Sequence, residues 1–215
     1  MKWLLALLLV GLAGFVGATG CSGPVAYGAI KRLMYEEPWR DRSQQPERVV
    51  AALALSPGDR VADLGSGGGY FTFPIAEVVG ESGRVFAVDV DDDLLAYVAY
   101  QADKRGLSQI QPVRAPEHGP GLPDASVDLI FLCNVYHHLA EPEKYFAGVR
   151  SVLRPGGRIA VVEASDGGFP KGHGTPPKEI QSQFEAAGYI LAERHSFLER
   201  QSFQVFVLSA ELAEN

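Results

Sequence analysis

The stretch Val61-Ala-Asp63-Leu-Gly65-Ser-Gly67-Gly-Gly69-Tyr70-Phe-Thr72 decides the fold of this chain. It begins as a short apolar strand, passes through a loop with four glycines and continues into a predicted helix over 70–79. Glycine lets the backbone turn sharply and come close to a bound molecule, and the first turn of a helix presents free N–H groups. The stretch therefore predicts a ligand-binding loop between a strand and a helix.

The spacing of the glycines separates two kinds of ligand. A dinucleotide site has the pattern Gly-x-Gly-x-x-Gly, whose third glycine would fall at position 70, where this chain has Tyr70. Asp63, two residues before Gly65, would repel a pyrophosphate but suits a cationic amine or sulfonium. Asp89 ends the next predicted strand, 22 residues after Gly67, where a carboxylate can accept hydrogen bonds from both ribose hydroxyls. The pattern favours a ligand with a ribose and a positive charge.

Outward from this loop, strands and helices alternate. Strands are predicted at 60–63, 84–89, 110–114, 127–133, 158–163, 190–195 and 203–209, and helices at 47–55, 70–79, 92–104, 141–153 and 178–187. Strands separated by helices form a parallel sheet that is covered on both faces, so the fold class is α/β. The break at 199–202 is too short for a parallel crossover, which predicts a hairpin and an antiparallel last strand.

These features resemble the class I S-adenosylmethionine-dependent methyltransferase family over roughly residues 47–209. The likeness rests on four segments in the family's order, Asp63-Leu-Gly-Ser-Gly-Gly-Gly69, Val88-Asp89, Leu122-Pro-Asp-Ala-Ser-Val-Asp128 and Leu153-Arg-Pro-Gly-Gly157. The segment Val135-Tyr-His-His138 is also similar to small bacterial methyltransferase-domain proteins. The resemblance implies a Rossmann-like, seven-stranded, mostly parallel sheet with an antiparallel last strand, and S-adenosyl-L-methionine as cofactor.

The resemblance also implies a set of cofactor-binding residues. The family usually has an aspartate after the third strand that holds the adenine amine, but here the corresponding run is Arg114-Ala-Pro-Glu-His118. Either Glu117 substitutes for this aspartate or a backbone group takes its place. The expected cofactor-binding residues are Asp63, Gly65, Ser66, Gly67, Gly69, Tyr70, Asp89, Glu117 and Asn134.

The candidate catalytic residues follow the fourth strand, at the sheet edge where open α/β sheets bind ligands. They are Asn134, Tyr136, His137 and His138. A histidine titrates near neutral pH and can act as a general base, with a slight preference here for His137 because it is nearer the strand end. The alternative is that these histidines cap a helix or pack in the core. No Asp or Cys spacing completes a zinc or iron site, so no metal is expected.

A second loop, at 164–178, follows the fifth strand and faces the same edge. It is flanked by Glu163, contains Asp166 and His173, and is rich in glycine and proline. It is either a lid or a simple connector. Cys133 ends an apolar strand and is expected to be a small buried residue and not a nucleophile.

Composition limits the substrate. The chain has 215 residues, 47% of them hydrophobic, and a net charge of −7. A protein that binds nucleic acid needs a positively charged surface. Because this chain is negatively charged overall, a nucleic-acid partner is not expected. Asn134 is followed by Val135, whereas methyltransferases that act on nucleic-acid amino groups have an Asn-Pro-Pro-Tyr type of signature. A small-molecule or lipid-like acceptor, methylated by direct displacement, is favoured. Two other functions stay open: a membrane-tethered binder of S-adenosylmethionine without turnover, and a nicotinamide-dependent dehydrogenase.

The N-terminus predicts membrane association. Lys2 precedes an apolar run, and Ala18-Thr-Gly-Cys21 resembles a bacterial lipobox, in which the cysteine is lipidated after cleavage. The alternative is an uncut anchor, because residues 3–30 carry no charge and Lys31 and Arg32 follow at once. An uncut anchor would hold the domain inside, whereas a lipoprotein would face away from the cytoplasm. The predicted organisation is a signal, lipoprotein or anchor segment at 1–21, a connector and possible substrate cap at 22–46, and a methyltransferase domain at 47–215.

Overall fold

The computed structural model describes residues 23–35, 40–116, 119–165 and 174–209. The predicted signal or anchor at 1–21, with Cys21, lies outside the described residues, as do Glu117, Asp166 and His173. None of the helices in the described ranges is long and apolar enough to cross a bilayer.

A seven-stranded sheet forms the centre of the fold. Its strands are β1 (Arg60–Leu64), β2 (Arg84–Asp89), β3 (Ile110–Arg114), β4 (Val127–Cys133), β5 (Leu153–Ala164), β6 (Tyr189–His195) and β7 (Gln201–Leu208). They lie in the order β3-β2-β1-β4-β5-β7-β6. β1 to β5 are parallel, and β7 is antiparallel to both of its neighbours. The predicted fold class and the antiparallel last strand are confirmed.

Helices cover both faces of the sheet. They are α1 (Pro24–Tyr35), α2 (Arg40–Gln44), α3 (Pro46–Ala52), α4 (Thr72–Val79), α5 (Asp92–Arg105), α6 (Pro142–Gly148) and α7 (Pro177–Ala186), with 3-10 turns at Tyr136–His138 and Val149–Val152. Side chains of a strand alternate between faces, so Val61 packs with α3 and α4 while Ala62 packs with α6 and α7. The second face contains a cluster of aromatic rings in which Phe184 lies 4.0 Å from Phe206 and 4.2 Å from Phe146, measured between ring centres.

The segment at 22–46, which the sequence suggested is a connector, is largely helical where it is described. α1 packs on α5, and Lys31 Nζ lies 2.8 Å from an Asp91 carboxylate oxygen and 2.6 Å from one of Asp93. The two helices also approach closely at Gly28, where a Cβ would lie 2.1 Å from the carbonyl oxygen of Asp93. Ion pairs and close backbone packing hold α1 in place, and these contacts with α5 are not visible in the local sequence of the segment.

The largest boundary errors lie between the helix expected over 141–153 and the strand expected over 158–163. The helix expected over 141–153 ends as α6 at Gly148, continues as a 3-10 turn, and β5 begins already at Leu153. Leu153 pairs with Val127, and the register then shifts before Leu129. This irregularity lets the Arg154-Pro-Gly-Gly157 run belong to the strand instead of ending a helix.

Candidate functional site

A cavity of about 1580 Å³ opens at the carboxyl ends of β1, β2 and β4. The glycine loop forms its floor, and α1 and α2 contribute Arg32, Arg40, Ser43 and Gln44 to its wall. Pockets for a single drug-sized ligand are about 300–1,000 Å³. This cavity is therefore large enough for two molecules side by side.

The glycine loop is shaped by backbone conformations that favour glycine. Gly65 and Gly67 have φ angles of +69° and +53°. A Cβ at Gly65 would lie 2.3 Å from Cγ2 of Val135, so only glycine lets the loop pass beneath the segment that follows β4. At Gly67 a Cβ would meet no described atom within 4 Å, so this part of the loop faces open space.

Asp89 lies in the cavity wall with a fixed carboxylate. Its Oδ2 accepts a hydrogen bond of 2.8 Å from the Gly67 N–H, and its Oδ1 accepts one of 2.9 Å from the Asp91 N–H. Each carboxylate oxygen can accept a further hydrogen bond, so both stay available to a ligand's hydroxyl groups. The loop and the strand end thus hold each other in position.

Ser66 supplies a second polar group. Its hydroxyl is buried at the cavity wall and has no hydrogen-bond partner within the described part of the chain. Buried polar atoms in folded proteins are nearly always paired, so an unpaired one in a cavity wall fits contact with a polar ligand. Ser66, Gly67 and Asp89 together fit the ribose end of a nucleoside-containing cofactor.

Three of the expected cofactor-binding residues support the loop and do not line the cavity. Asp63 is buried and accepts a hydrogen bond of 2.6 Å from the Thr72 hydroxyl, and burial raises its pKa to about 6. A Cβ at Gly69 would lie 2.5 Å from the ring of Phe73. The Tyr70 hydroxyl donates a hydrogen bond of 2.6 Å to Asp41, which ties the loop to α2. In this structure Asp63, Gly69 and Tyr70 position α4 and α2.

Two of the four candidate catalytic residues line the cavity, namely Asn134 and His138. Asn134 has a φ of +55°, its N–H donates to the carbonyl of Val162, and its Oδ1 accepts a hydrogen bond of 2.8 Å from Gln201. These contacts fix the amide at the point where β4 ends. The following turn brings His138 to the cavity while its ring lies 4.0 Å from that of His137, between centroids.

Tyr136 lies outside the cavity. Its ring is buried against those of Phe146 and Phe184, and its hydroxyl donates a hydrogen bond of 2.6 Å to Gln183. The geometry places the Tyr136 side chain in the packing of the turn and not in the cavity wall. Its function here is to pack the turn after β4 onto the aromatic cluster.

His137 is also not part of the cavity lining, since it turns towards the end of β5. Its Nδ1 lies 2.7 Å from Oε1 of Glu163, and Oε2 of Glu163 accepts a hydrogen bond of 3.1 Å from the Tyr136 N–H. Glu163 is fully buried, and burial raises the pKa of its carboxyl group. The sequence grouped Glu163 with the loop after the fifth strand, which was expected to be a lid or a connector. Its position at the end of an apolar strand was the signal of this buried role.

Cys133 lines the cavity at the end of β4. Burial raises the pKa of its thiol to about 12, so the thiolate that nucleophilic chemistry needs is not formed near neutral pH. Within the described ranges, no group of three His, Cys, Asp or Glu side chains is placed to hold a metal ion.

The sequence suggested a possible cap at 22–46, but several lining residues of the cavity were not individually predicted. They come from α1 and α2, and from the chain entering β7, where Arg200 lines the cavity and Gln201 donates a hydrogen bond to Asn134. The mixed charges at 31–44 were visible in the sequence, but their convergence on the cavity depends on how α1 and α2 pack. Tertiary contacts of this kind leave no local pattern.

Comparisons with known proteins agree with this geometry. A family profile described as "Methyltransferase domain" matches residues 62–161. A ubiquinone/menaquinone biosynthesis C-methyltransferase of Teredinibacter turnerae is 33% identical over 118 residues, which cover 54% of this chain and 47% of the relative. An arsenite methyltransferase of Halobacterium salinarum is 34% identical over 113 residues, covering 52% of this chain and 28% of the relative.

A solved structure is similar over nearly the whole fold. The crystal structure of a SAM-dependent methyltransferase from Aquifex aeolicus superimposes with a TM-score of 0.74 at 26% identity, covering 88% of this chain and all of that one. The chain spans less than half the length of the two curated relatives, 47% and 28%.

Proposed function

The chain belongs to the class I S-adenosylmethionine-dependent methyltransferase family, and we propose that it transfers a methyl group from this cofactor to a small-molecule or lipid-like acceptor. One observation carries the proposal. A single cavity contains both a fixed carboxylate, Asp89, that suits ribose hydroxyls and room for a second molecule beside the segment after β4.

The residues of the cavity fit the cofactor in a definite way. Asp89 would accept the ribose hydroxyls, Ser66 would pair its buried hydroxyl with the ligand, and the open face of Gly67 lets the ligand approach the backbone. When bound, S-adenosylmethionine supplies a methyl group that its sulfonium has already activated. The protein's work is then to align the acceptor, exclude water and, where the acceptor must lose a proton, to accept it.

Two residues that follow β4 would contact the methyl acceptor. Asn134 is held rigidly by Gln201 and the backbone of β5, so its amide would orient the acceptor. His138 lines the same wall and is the residue placed to accept a proton there. α1 and α2 would keep water out, which gives the expected cap at 22–46 a physical basis.

The acceptor class is inferred from charge and from the cavity wall. A net charge of −7 disfavours polyanions. Near His138 the wall includes Leu139, Ala140 and Tyr145, which suit an apolar body such as a ring or an acyl chain. The two curated relatives are named for quinone biosynthesis and for arsenite, and these substrates guide the choice of probes.

Turnover of the purified chain tests the proposal. S-adenosylhomocysteine should bind in calorimetry, and labelled S-adenosylmethionine should give S-adenosylhomocysteine with at least one acceptor among menadiol, arsenite and a bacterial metabolite extract. Asp89→Ala serves as the blank for cofactor-independent signal. Binding without product across the whole panel would favour the binder without turnover, and no binding at all would refute both functions.

We also propose that the N-terminal segment attaches the protein to a membrane, on the strength of the apolar run and the lipobox-like Ala18-Thr-Gly-Cys21. An acyl chain contributes about 0.8 kcal/mol per buried CH₂, so losing it should be visible in cell fractionation. Cys21→Ser is expected to abolish labelling by a lipid precursor and to release the protein from the membrane fraction. Cys133→Ser is the matched control. A Cys21→Ser protein that stays membrane-bound at unchanged mass would instead support an uncut anchor.

A further inference from the structure

Arg40 occupies an unusual position in the cavity wall. It begins α2, and its guanidinium lies over the ring of Tyr70 with 3.8 Å between Cζ and the ring centre. Its Nε donates a hydrogen bond of 2.8 Å to Oε1 of Gln44, a buried residue on the same helix. Asp41 anchors the other side of Tyr70 through the tyrosine hydroxyl. The stacking and the hydrogen bond together fix the plane of the guanidinium.

The outer nitrogens of this guanidinium have no acceptor among the described residues. Among the described residues, no carboxylate lies within ion-pair distance of Arg40, and the bond from Nε to Gln44 is the only hydrogen bond of its side chain. An arginine is always charged in a protein and carries five N–H donors. Four of them, on Nη1 and Nη2, are thus left for a ligand or for water at the cavity wall.

The surroundings of Arg40 suit an anion of modest size. Ser43 and Gln44 line the same wall. Arg32, Lys144 and Arg200 add further positive charges to the cavity lining, which also includes the carboxylates of Asp89, Asp91 and Glu141. The carboxylate of Asp41, which would otherwise compete for Arg40, accepts the Tyr70 hydroxyl. A planar guanidinium pairs best with a carboxylate, through two parallel hydrogen bonds.

We propose that Arg40 is an anion-binding residue of the cavity and that it holds the carboxylate of a bound ligand. This proposal rests on the proposed function. It extends that function by assigning carboxylate binding to the cavity wall formed by α2. Two sources can supply this carboxylate: the amino-acid end of the cofactor, or an acidic group on the acceptor. The geometry at Arg40 is the same for both.

Calorimetry with two nucleosides and one simple acid tests the proposal and separates the sources. S-adenosylhomocysteine has the amino-acid carboxylate, whereas 5′-methylthioadenosine keeps the adenosine and thioether but lacks it. If the cofactor is the source, Arg40→Met should weaken S-adenosylhomocysteine at least tenfold and leave methylthioadenosine unchanged. If the acceptor is the source, both nucleosides should bind normally. Benzoate should then bind the wild-type complex with S-adenosylhomocysteine at least tenfold more tightly than the variant complex.

Two further variants make the result specific. Arg40→Lys keeps the charge but loses the planar fork, so it should recover only part of the affinity. Arg42→Met removes an exposed charge from the same helix, outside the cavity lining, and should bind all three ligands normally. The proposal is overturned if Arg40→Met matches wild type for S-adenosylhomocysteine and no benzoate binding is lost, or if it weakens both nucleosides equally. Failure of wild type to bind either nucleoside would refute the proposed function instead.

Discussion

Asp89→Ala is expected to weaken S-adenosylhomocysteine binding at least a hundredfold. Its carboxylate would accept two ribose hydrogen bonds, and hydrogen bonds to a charged group contribute about 1.5–3 kcal/mol each. The same carboxylate accepts the N–H groups of Gly67 and Asp91 in the protein. The substitution therefore also loosens the glycine loop, so the loss should lie at the upper end of this range. Calorimetry with S-adenosylhomocysteine measures it directly.

Asp92→Ala is the matched control for this experiment. Asp92 lies three residues further on, is exposed, and pairs only at the surface with Arg114, 3.1 Å away. Its removal also takes away one negative charge, so it reproduces the change in net charge without touching the cavity lining. Normal binding by Asp89→Ala, in protein that unfolds at the wild-type temperature, would exclude Asp89 from the cofactor site.

The sheet could be predicted because each strand carries its own local signal. β2, β3 and β4 begin and end at the residues expected from the sequence, since short segments with apolar residues are bounded by glycine, charged or polar residues. The antiparallel β7 followed from the short break before it, a constraint of chain length alone. The glycine loop could also be predicted from local sequence, because Gly65 and Gly67 adopt backbone conformations that few other residues adopt.

Which side chains line the cavity and which support it from outside could not be predicted from local sequence patterns. Asp63 and Tyr70 stand beside the cavity-lining glycines in sequence, yet their side chains turn to Thr72 and Asp41. Tyr136 and His138 are two residues apart, and a single turn sends one to the aromatic cluster and the other to the cavity. Side-chain direction in a loop depends on tertiary neighbours, so spacing alone does not reveal it.

The packing of α1 depends on contacts between residues that are far apart in the sequence. Lys31 and the pair Asp91 and Asp93 are about sixty residues apart, and each is an unremarkable surface charge in the sequence. Their contact places Arg32 against Gly68 and so closes one side of the cavity. Such a pairing becomes visible only when the fold brings the two segments together.

The turn after β4 separates the two adjacent histidines into different roles. His137 is engaged by the buried Glu163, which ties it to the end of β5, whereas His138 lines the cavity. This shifts the preferred general base from His137, as the sequence suggested, to His138. The pair Glu163 and His137 then acts as the support that fixes the turn from which His138 projects.

His138→Ala is accordingly expected to lower the rate of methyl transfer by about 10²–10⁴, with the affinity for S-adenosylhomocysteine nearly unchanged. If His138 takes the acceptor's proton, the wild-type rate should rise with pH through the histidine range, near 6.5 for a free side chain, and the variant should lose this rise.

His195→Gln, on β6 and outside the cavity lining, is the control for removing a histidine. His137→Ala should act through position, so it should lower the rate while part of the pH dependence remains. Full activity in both single variants and in the double variant would assign the pair to structure, and catalysis would then depend on the alignment of acceptor and methyl group alone.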